Sequence, residues 1–309
     1  MRQRLFALVA LVAVLAACGG GESGDAGEAT TAQPAAAFPV TVTGANGSVE
    51  IRERPTRVVS LSPTATESLF AIGAGRQVIA VDDQSNFPEA ARQTKLSGFQ
   101  PNVEAIAGYR PDLVVAAFDP GGLVRGLEKL HVTVLLQPAA KNLDDAYRQI
   151  TALGKATGHS PDAARLVRRM RSEVRALDDA VPDNAGISVY HELGPDFFSA
   201  TSKTFIGSVY ELLGMENIAD EAGGAAPDYP QLSAEYILAA DPDLIVLADT
   251  KCCGQTLETV ATRPGWKTLE AVRNGDVVLA DDDVASRWGP RTVEFVELVA
   301  EAVQEVEAR

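Results

Sequence analysis

From residue 57 onward, short aliphatic and β-branched runs alternate with stretches of helical periodicity. Arg57-Val58-Val59-Ser60-Leu61, Val78-Ile79-Ala80-Val81, Leu113 to Ala117 and Val132 to Leu136 read as buried strands. Thr66 to Ile72, Val103 to Gly108 and Gly122 to Leu130 read as the helices between them. This alternation predicts a parallel α/β sheet. The middle of the chain is different. Leu143 to Thr157 is helical, and Gly158-His159-Ser160-Pro161 interrupts it. Ser160 as N-cap and Pro161 as first helical residue open a second helix, free of Gly and Pro to about Asp179. About twenty residues at about 1.5 Å each cover about 30 Å, enough to bridge two lobes. Alternation then resumes with strands at Ile187 to Tyr190, Leu244 to Leu247 and Val277 to Leu279. Helices are expected at Ile206 to Leu213, at Ala234 to Ala239 and, as a long amphipathic closure, at Pro290 to Glu307.

An internal repeat sharpens this picture. Glu104-Ala-Ile-Ala-Gly-Tyr-Arg-Pro111-Asp112-Leu113 returns, ungapped, as Glu235-Tyr-Ile-Leu-Ala-Ala-Asp-Pro242-Asp243-Leu244, 131 residues later. Gln100 and Gln231 match at the same offset, and Asn102 and Ser233 stand two residues before the glutamates. Each glutamate therefore falls in the first turn of a capped helix, where the helix dipole favours an acid. The chain thus reads as two similar Rossmann-like α/β lobes joined by one long helix, with a ligand cleft between them. In parallel α/β sheets the carboxyl ends of the strands line the ligand site.

The N-terminus adds a compartment. Arg2 and Arg4 precede the apolar run Leu5 to Ala17, which is too short to span a bilayer and ends Leu15-Ala16-Ala17-Cys18. This ending resembles the bacterial lipobox, which implies lipidation of Cys18. Gly19 to Ala37 hold no large apolar residue and read as a flexible tether. The expected division is a signal peptide over 1–18, tether and lead-in over 19–54, an N-terminal lobe over 55–158, a connecting helix over 159–182 and a C-terminal lobe over 183–309. The protein is then extracytoplasmic and anchored to the cell membrane by lipid.

Composition narrows the partners. The 309 residues are 46% hydrophobic and 22% charged, so a packed core is available. Forty-two acidic residues against 27 basic ones give a net charge of −15, which argues against nucleic acid. Loss of Arg2 and Arg4 leaves 25 basic residues and a charge of −17. Three histidines offer little for a zinc site, and no metal site is expected. There is no Gly-x-Ser-x-Gly elbow, and His191-Glu192 lacks the second histidine of a zinc protease motif. No catalytic residues are assigned. A secreted hydrolase with dispersed catalytic residues is the different-class alternative, and a structural adhesin is a third.

The residues from about 55 to 305 resemble the substrate-binding proteins of ABC importers for cobalamin, ferric siderophores and haem. Arg57 to Glu67 is similar to that family's opening strand and loop, and Asn102-Val103-Glu104 with Arg110-Pro111-Asp112-Leu113-Val114 to its next signature. Asn86-Phe87-Pro88-Glu89-Ala90, Tyr229-Pro230-Gln231 and Ser286-Arg287-Trp288-Gly289-Pro290-Arg291 resemble vitamin B12-binding proteins most. The resemblance implies a monomer that delivers cobalamin to a permease and its ATPase, with no cofactor of its own. A ferric siderophore, held by residues such as Arg125, Arg287 and Tyr229, or haem is the alternative ligand.

The resemblance places Phe87, Phe99, Tyr229 and Trp288 against the corrin and Glu104 and Glu235 on the permease. Asp282, Asp283 and Arg287 are candidates for the ligand's amide groups, or else solvated loop charges. His191, directly after a strand, is a candidate ligand to cobalt or iron, or else a hydrogen-bonded loop histidine. Cys252-Cys253 departs from the cobalamin pattern. It reads as a vicinal disulfide, a free pair or a soft-metal contact.

Overall fold

A computed structural model describes residues 38–182, 186–222 and 227–309. The N-terminal lobe opens with a hairpin, β1 (Val40–Gly44) and β2 (Gly47–Ile51). There follow β3 (Val58–Leu61), α1 (Pro63–Ala71), β4 (Val78–Asp82), β5 (Gln93–Leu96), α2 (Val103–Gly108), β6 (Leu113–Ala116), α3 (Leu123–Glu128) and β7 (Thr133–Leu136). Helices α4 (Leu143–Thr157) and α5 (Ser160–Asp178) lead to the C-terminal lobe. That lobe runs β8 (Ser188–Glu192), α6 (Phe205–Leu212), β9 (Glu216–Asn217), α7 (Ala234–Ala240), β10 (Leu244–Leu247), α8 (Thr250–Cys253) and α9 (Leu257–Ala261). It closes with α10 (Glu270–Asn274), β11 (Val277–Leu279), α11 (Asp282–Ser286) and α12 (Thr292–Glu307).

The larger sheets have strand order β5-β4-β3-β6-β7 and β9-β8-β10-β11, and all their pairings are parallel. Their central strands, such as β6 and β10, are buried throughout, as strands covered on both faces must be. Four strands of the first sheet, β4-β3-β6-β7, correspond in order to β9-β8-β10-β11 of the second, with β5 as an extra edge strand, and the repeat explains how. Asp112 accepts hydrogen bonds from the Thr56 and Arg57 amides at the start of β3. Asp243 accepts from the Ser188 amide and hydroxyl at the start of β8. Arg57–Asp112 and Ser188–Asp243 are each separated by 55 residues. The repeated Pro-Asp-Leu thus pins neighbouring strands at the same height in both lobes.

Helix α5 bridges the lobes as its length requires. Ala163, Leu166 and Met170 enter the core of the N-terminal lobe, and Val174 enters that of the C-terminal lobe. Its reversal from α4 needs two glycines. A Cβ on Gly154 would lie 2.3 Å from that of Ala163, and Gly158 caps α4 at φ 76°. The N-cap of α5 is His159, without a side-chain cap bond, rather than Ser160.

The expected tether and lead-in over 19–54 needs a larger correction. Residues 40–51 of it form the β1–β2 hairpin. Val42 pairs with Val49, and both are buried with Ile51 in the core of the N-terminal lobe. The period-2 apolar pattern and the Asn46-Gly47 turn are the local causes, with Gly47 at φ 98°. The Asn46 side chain bonds the backbone of Val134 and Leu136, which fixes the hairpin tip to β7. Cys18 lies outside the described residues.

Candidate functional site

The loops beyond the carboxyl ends of the strands carry most of the exposed aromatic rings. After β5, Gly98 lets the chain fold tightly over β3, since a Cβ there would lie 2.7 Å from the Leu61 carbonyl oxygen. This turn presents Phe99, 65% exposed, against Phe118 at the end of β6, 44% exposed. Their ring centroids are 5.3 Å apart and stacked. Phe87, after β4, lies under the guanidinium of Arg291 at 4.4 Å. In the C-terminal lobe the Ser199 amide donates to the Pro230 carbonyl and the Thr201 amide to that of Asp228. This pairing sets half-exposed Tyr229 on the segment that pairs with Phe198, itself 40% exposed. Burial, with Asp228 nearby, raises the Tyr229 phenol pKa. Phe198 carries no signal in the sequence, whereas Phe118 directly follows a predicted strand and so falls among the strand ends expected to line the site.

The polar candidates do a different job. Arg287 is buried, and both its terminal nitrogens are engaged. Nη1 donates to Glu67 Oε1 (2.9 Å) and Asn86 Oδ1 (2.8 Å), and Nη2 to the Gln84 carbonyl (3.0 Å) and Asp283 Oδ1 (2.5 Å). Arg291 adds two bonds to Glu67, whose side chain is 1% exposed. Asn86 Nδ2 also donates to Asp283 Oδ2, at 2.8 Å. Glu67, Gln84 and Asn86 belong to the N-terminal lobe and the others to the C-terminal lobe, so this cluster is an ionic clasp between the lobes. Asp282 accepts from the Lys251 and Cys252 amides of α8. Asp282, Asp283 and Arg287 are thus joined to protein groups, not poised as free donors and acceptors for ligand amides. Trp288 is half-buried, packs with Ala140, Ala146 and Phe205, and donates through Nε1 to Gln149 Oε1 (2.9 Å).

His191 also needs correction as a ligand candidate. Alternation along β8 turns its ring into the core, fully buried, against Tyr210 and Phe295. Nδ1 lies 2.6 Å from the Tyr210 hydroxyl, and Nε2 has no partner. Burial lowers its pKa to about 3 and keeps it neutral. The next residue, Glu192, is a fully buried carboxylate held by Arg263 through two bonds of 2.6 Å and by the Tyr190 hydroxyl. Arg263 in turn lies 4.4 Å over the Trp266 ring. Asp249 is fully buried with both oxygens unpartnered. Burial, followed by the negative charge of Glu192, raises its pKa to about 7.

Glu104 and Glu235 are exposed in the first turns of α2 and α7. Asn102 caps the Ala105 amide (2.8 Å) and Ser233 the Tyr236 amide (3.1 Å), so the two lobes present equivalent acids on equivalent helices. Cys252 and Cys253 form a vicinal disulfide, exposed on α8 beyond the end of β10. Among the described residues, no group of three or more His, Cys, Asp or Glu is placed to hold a metal ion.

A family model described as periplasmic binding protein matches residues 58–284. The chain is 34% identical to a cobalamin-binding protein of Halobacterium salinarum, across 88% of this chain and 76% of the relative. It is 29% identical to the uncharacterized ABC transporter substrate-binding lipoprotein YvrC of Bacillus subtilis, across 88% and 87%. The periplasmic haem-binding protein RhuT from Roseiflexus sp. RS-1 superposes with a TM-score of 0.72 at 24% identity. That match covers 81% of this chain and 98% of RhuT, and it is a likeness of fold.

Proposed function

The chain belongs to the periplasmic binding protein family, and from that premise we propose that it binds cobalamin outside the cytoplasm and hands it to an ABC importer. The family is one of solute-binding transport proteins, not of enzymes. A permease, its ATPase and a small-molecule ligand are therefore the partners to expect. The observation that carries the cobalamin reading is the set of exposed rings at the strand ends of both lobes. Phe99 and Phe118 form an apolar shelf on one lobe, with Tyr229 and Phe198 on the other. Such rings suit the broad faces of a corrin, and burying them on binding is favourable. The cobalamin-binding relative at 34% identity supports the same ligand.

Binding requires little motion. Helix α5 enters both cores and the ionic clasp joins the lobes, so the cleft is largely pre-formed. Glu104 and Glu235 are the proposed docking charges, since exposed acids guide encounter and set register. Cys18 is the proposed site of the lipid anchor. Haem is the second reading, favoured by the Tyr229 phenol on the rim. His191, being buried, offers no axial ligand.

Uptake of labelled cobalamin by cells lacking this chain tests the role. The wild-type chain restores uptake, and the E104K/E235K double variant does not, although it still binds cobalamin. Unchanged uptake without the chain would overturn the proposal.

A further inference from the structure

We propose that the Cys252–Cys253 disulfide is a thiol-redox site that sets how firmly the C-terminal lobe grips the N-terminal lobe. The inference goes beyond the ligand assignment and does not depend on which ligand binds.

The disulfide occupies the end of α8, a single turn closed by Gly254 at φ 66°. Both cysteines are exposed, so a thiol can reach them. The polar groups of this turn converge on α11. Asp282 accepts from the Lys251 amide (2.9 Å), the Cys252 amide (2.8 Å) and the Thr250 hydroxyl (3.1 Å). Lys251 Nζ reaches Asp281 at 2.5 Å and Asp283 at 3.3 Å. Asp283 is also a member of the clasp, where it accepts from Asn86 of the other lobe and from the Arg287 guanidinium that holds Glu67. The same carboxylate is therefore shared between the disulfide turn and the seam.

The covalent link between adjacent side chains restricts the backbone that aims these amides and Lys251. Opening it returns conformational freedom to the turn, and the bonds to Asp282 and Asp283 must then order a looser segment. The reductant is an extracytoplasmic dithiol. One of its thiolates attacks a sulfur of the pair, giving a mixed disulfide and freeing the other cysteine as a thiol. Its second thiolate then displaces the remaining cysteine. Two electrons and two protons pass to Cys252 and Cys253, and the dithiol leaves as a disulfide. Oxidised protein has a firm seam, and reduced protein a loosened one.

Hydrogen–deuterium exchange on the full chain tests this without any ligand. Oxidised protein is compared with protein reduced by dithiothreitol, and with the C252S/C253S variant in the absence of reductant. The proposal expects exchange to quicken about tenfold, equal to about 1.4 kcal/mol of lost hold, in residues 84–87 as well as in 282–287. The serine variant shows the same increase and no response to dithiothreitol. An increase confined to residues 250–256, or an equal response to dithiothreitol in the serine variant, would overturn it. So would free thiols at both positions in air-oxidised protein, read by alkylation and peptide mapping.

Discussion

Replacing Glu67 with glutamine removes the one charge around which the clasp is built and leaves the volume nearly unchanged. Glu67 receives one bond from Arg287 and two from Arg291. Its side chain is 1% exposed, and those of the two arginines are 9% and 14% exposed. Removing one partner of a buried ion pair strands the other, at a cost of about 3–5 kcal/mol. Arg287 keeps Asp283, Asn86 and the Gln84 carbonyl, so the lower end applies, about 3 kcal/mol. At about 2.1 cal/mol/K of unfolding entropy per residue, each kcal/mol lowers the Tm of a 309-residue chain by about 1.5–2 °C, so E67Q should melt about 4–6 °C below wild type. Thermal unfolding at pH 7, followed by circular dichroism, reads the shift. A double-mutant cycle with Arg291→Gln should show a coupling of about 0.5–3 kcal/mol, because the two side chains touch. The exposed pair Arg169–Glu173, 3.9 Å apart, is the control, and Glu173→Gln should change stability by less than about 1 kcal/mol. A Tm within about 2 °C of wild type for E67Q, with no coupling to Arg291, would refute the clasp.

Other consequences concern pH and the aromatic rim. His191 titrates near 6.5 when unfolded and at about 3 when folded, so its stabilising effect is complete above pH 6.5 and is lost as pH falls towards 3. Urea unfolding should show wild type losing up to about 1.4 kcal/mol per pH unit across that window, and His191→Gln a flatter slope. Asp249 behaves in the opposite sense. Its folded pKa of about 7 lies above the unfolded value, so its contribution is present at low pH and is lost as pH rises from about 4 to 7. Asp249→Asn should therefore be more stable than wild type at pH 8, and the advantage should vanish near pH 4; equal stability at both pH values would contradict the assignment. Phe99→Ala should weaken cobalamin binding about tenfold in a titration, with Tm unchanged because the ring is largely exposed. Deleting residues 38–53 should lower Tm sharply, since it removes Val42, Val49 and Ile51 from the core.

The architecture was legible because the repeat and the aliphatic runs are local signals. Pro111-Asp112-Leu113 and Pro242-Asp243-Leu244 mark the same junction twice, and α5 shows itself by the absence of Gly and Pro. The hairpin at 40–51 is announced by Asn46-Gly47 and the alternating valines, but it falls in the stretch that reads only as a lead-in, after the tether of Gly19 to Ala37 and before the first parallel strand. The short strands β5 and β9 give too few residues for a period to show. The site was legible in part. Phe87 and Phe99 are exposed and follow β4 and β5, while Tyr229 is exposed on the segment that leads into α7. The fates of Arg287, Asp283 and His191 were not readable, because each depends on contacts made by tertiary packing. Arg287 meets Glu67, 220 residues away, and His191 meets Tyr210 on α6. Nor does any local signal mark Asp249 as buried and unpartnered beside Glu192. The adjacent cysteines are conspicuous in sequence, but their link to the seam runs through Asp282 and Asp283 on a later helix.

Calorimetric titration of the protein with cyanocobalamin, in parallel with haem and a ferric hydroxamate siderophore, tests the central claim most directly. Cobalamin should bind saturably and one to one, more weakly to Phe99→Ala and with unchanged affinity to E104K/E235K. Saturable binding of haem or the iron chelate, with no heat from cobalamin, would contradict the corrin reading of the cleft while leaving the fold and the importer role intact.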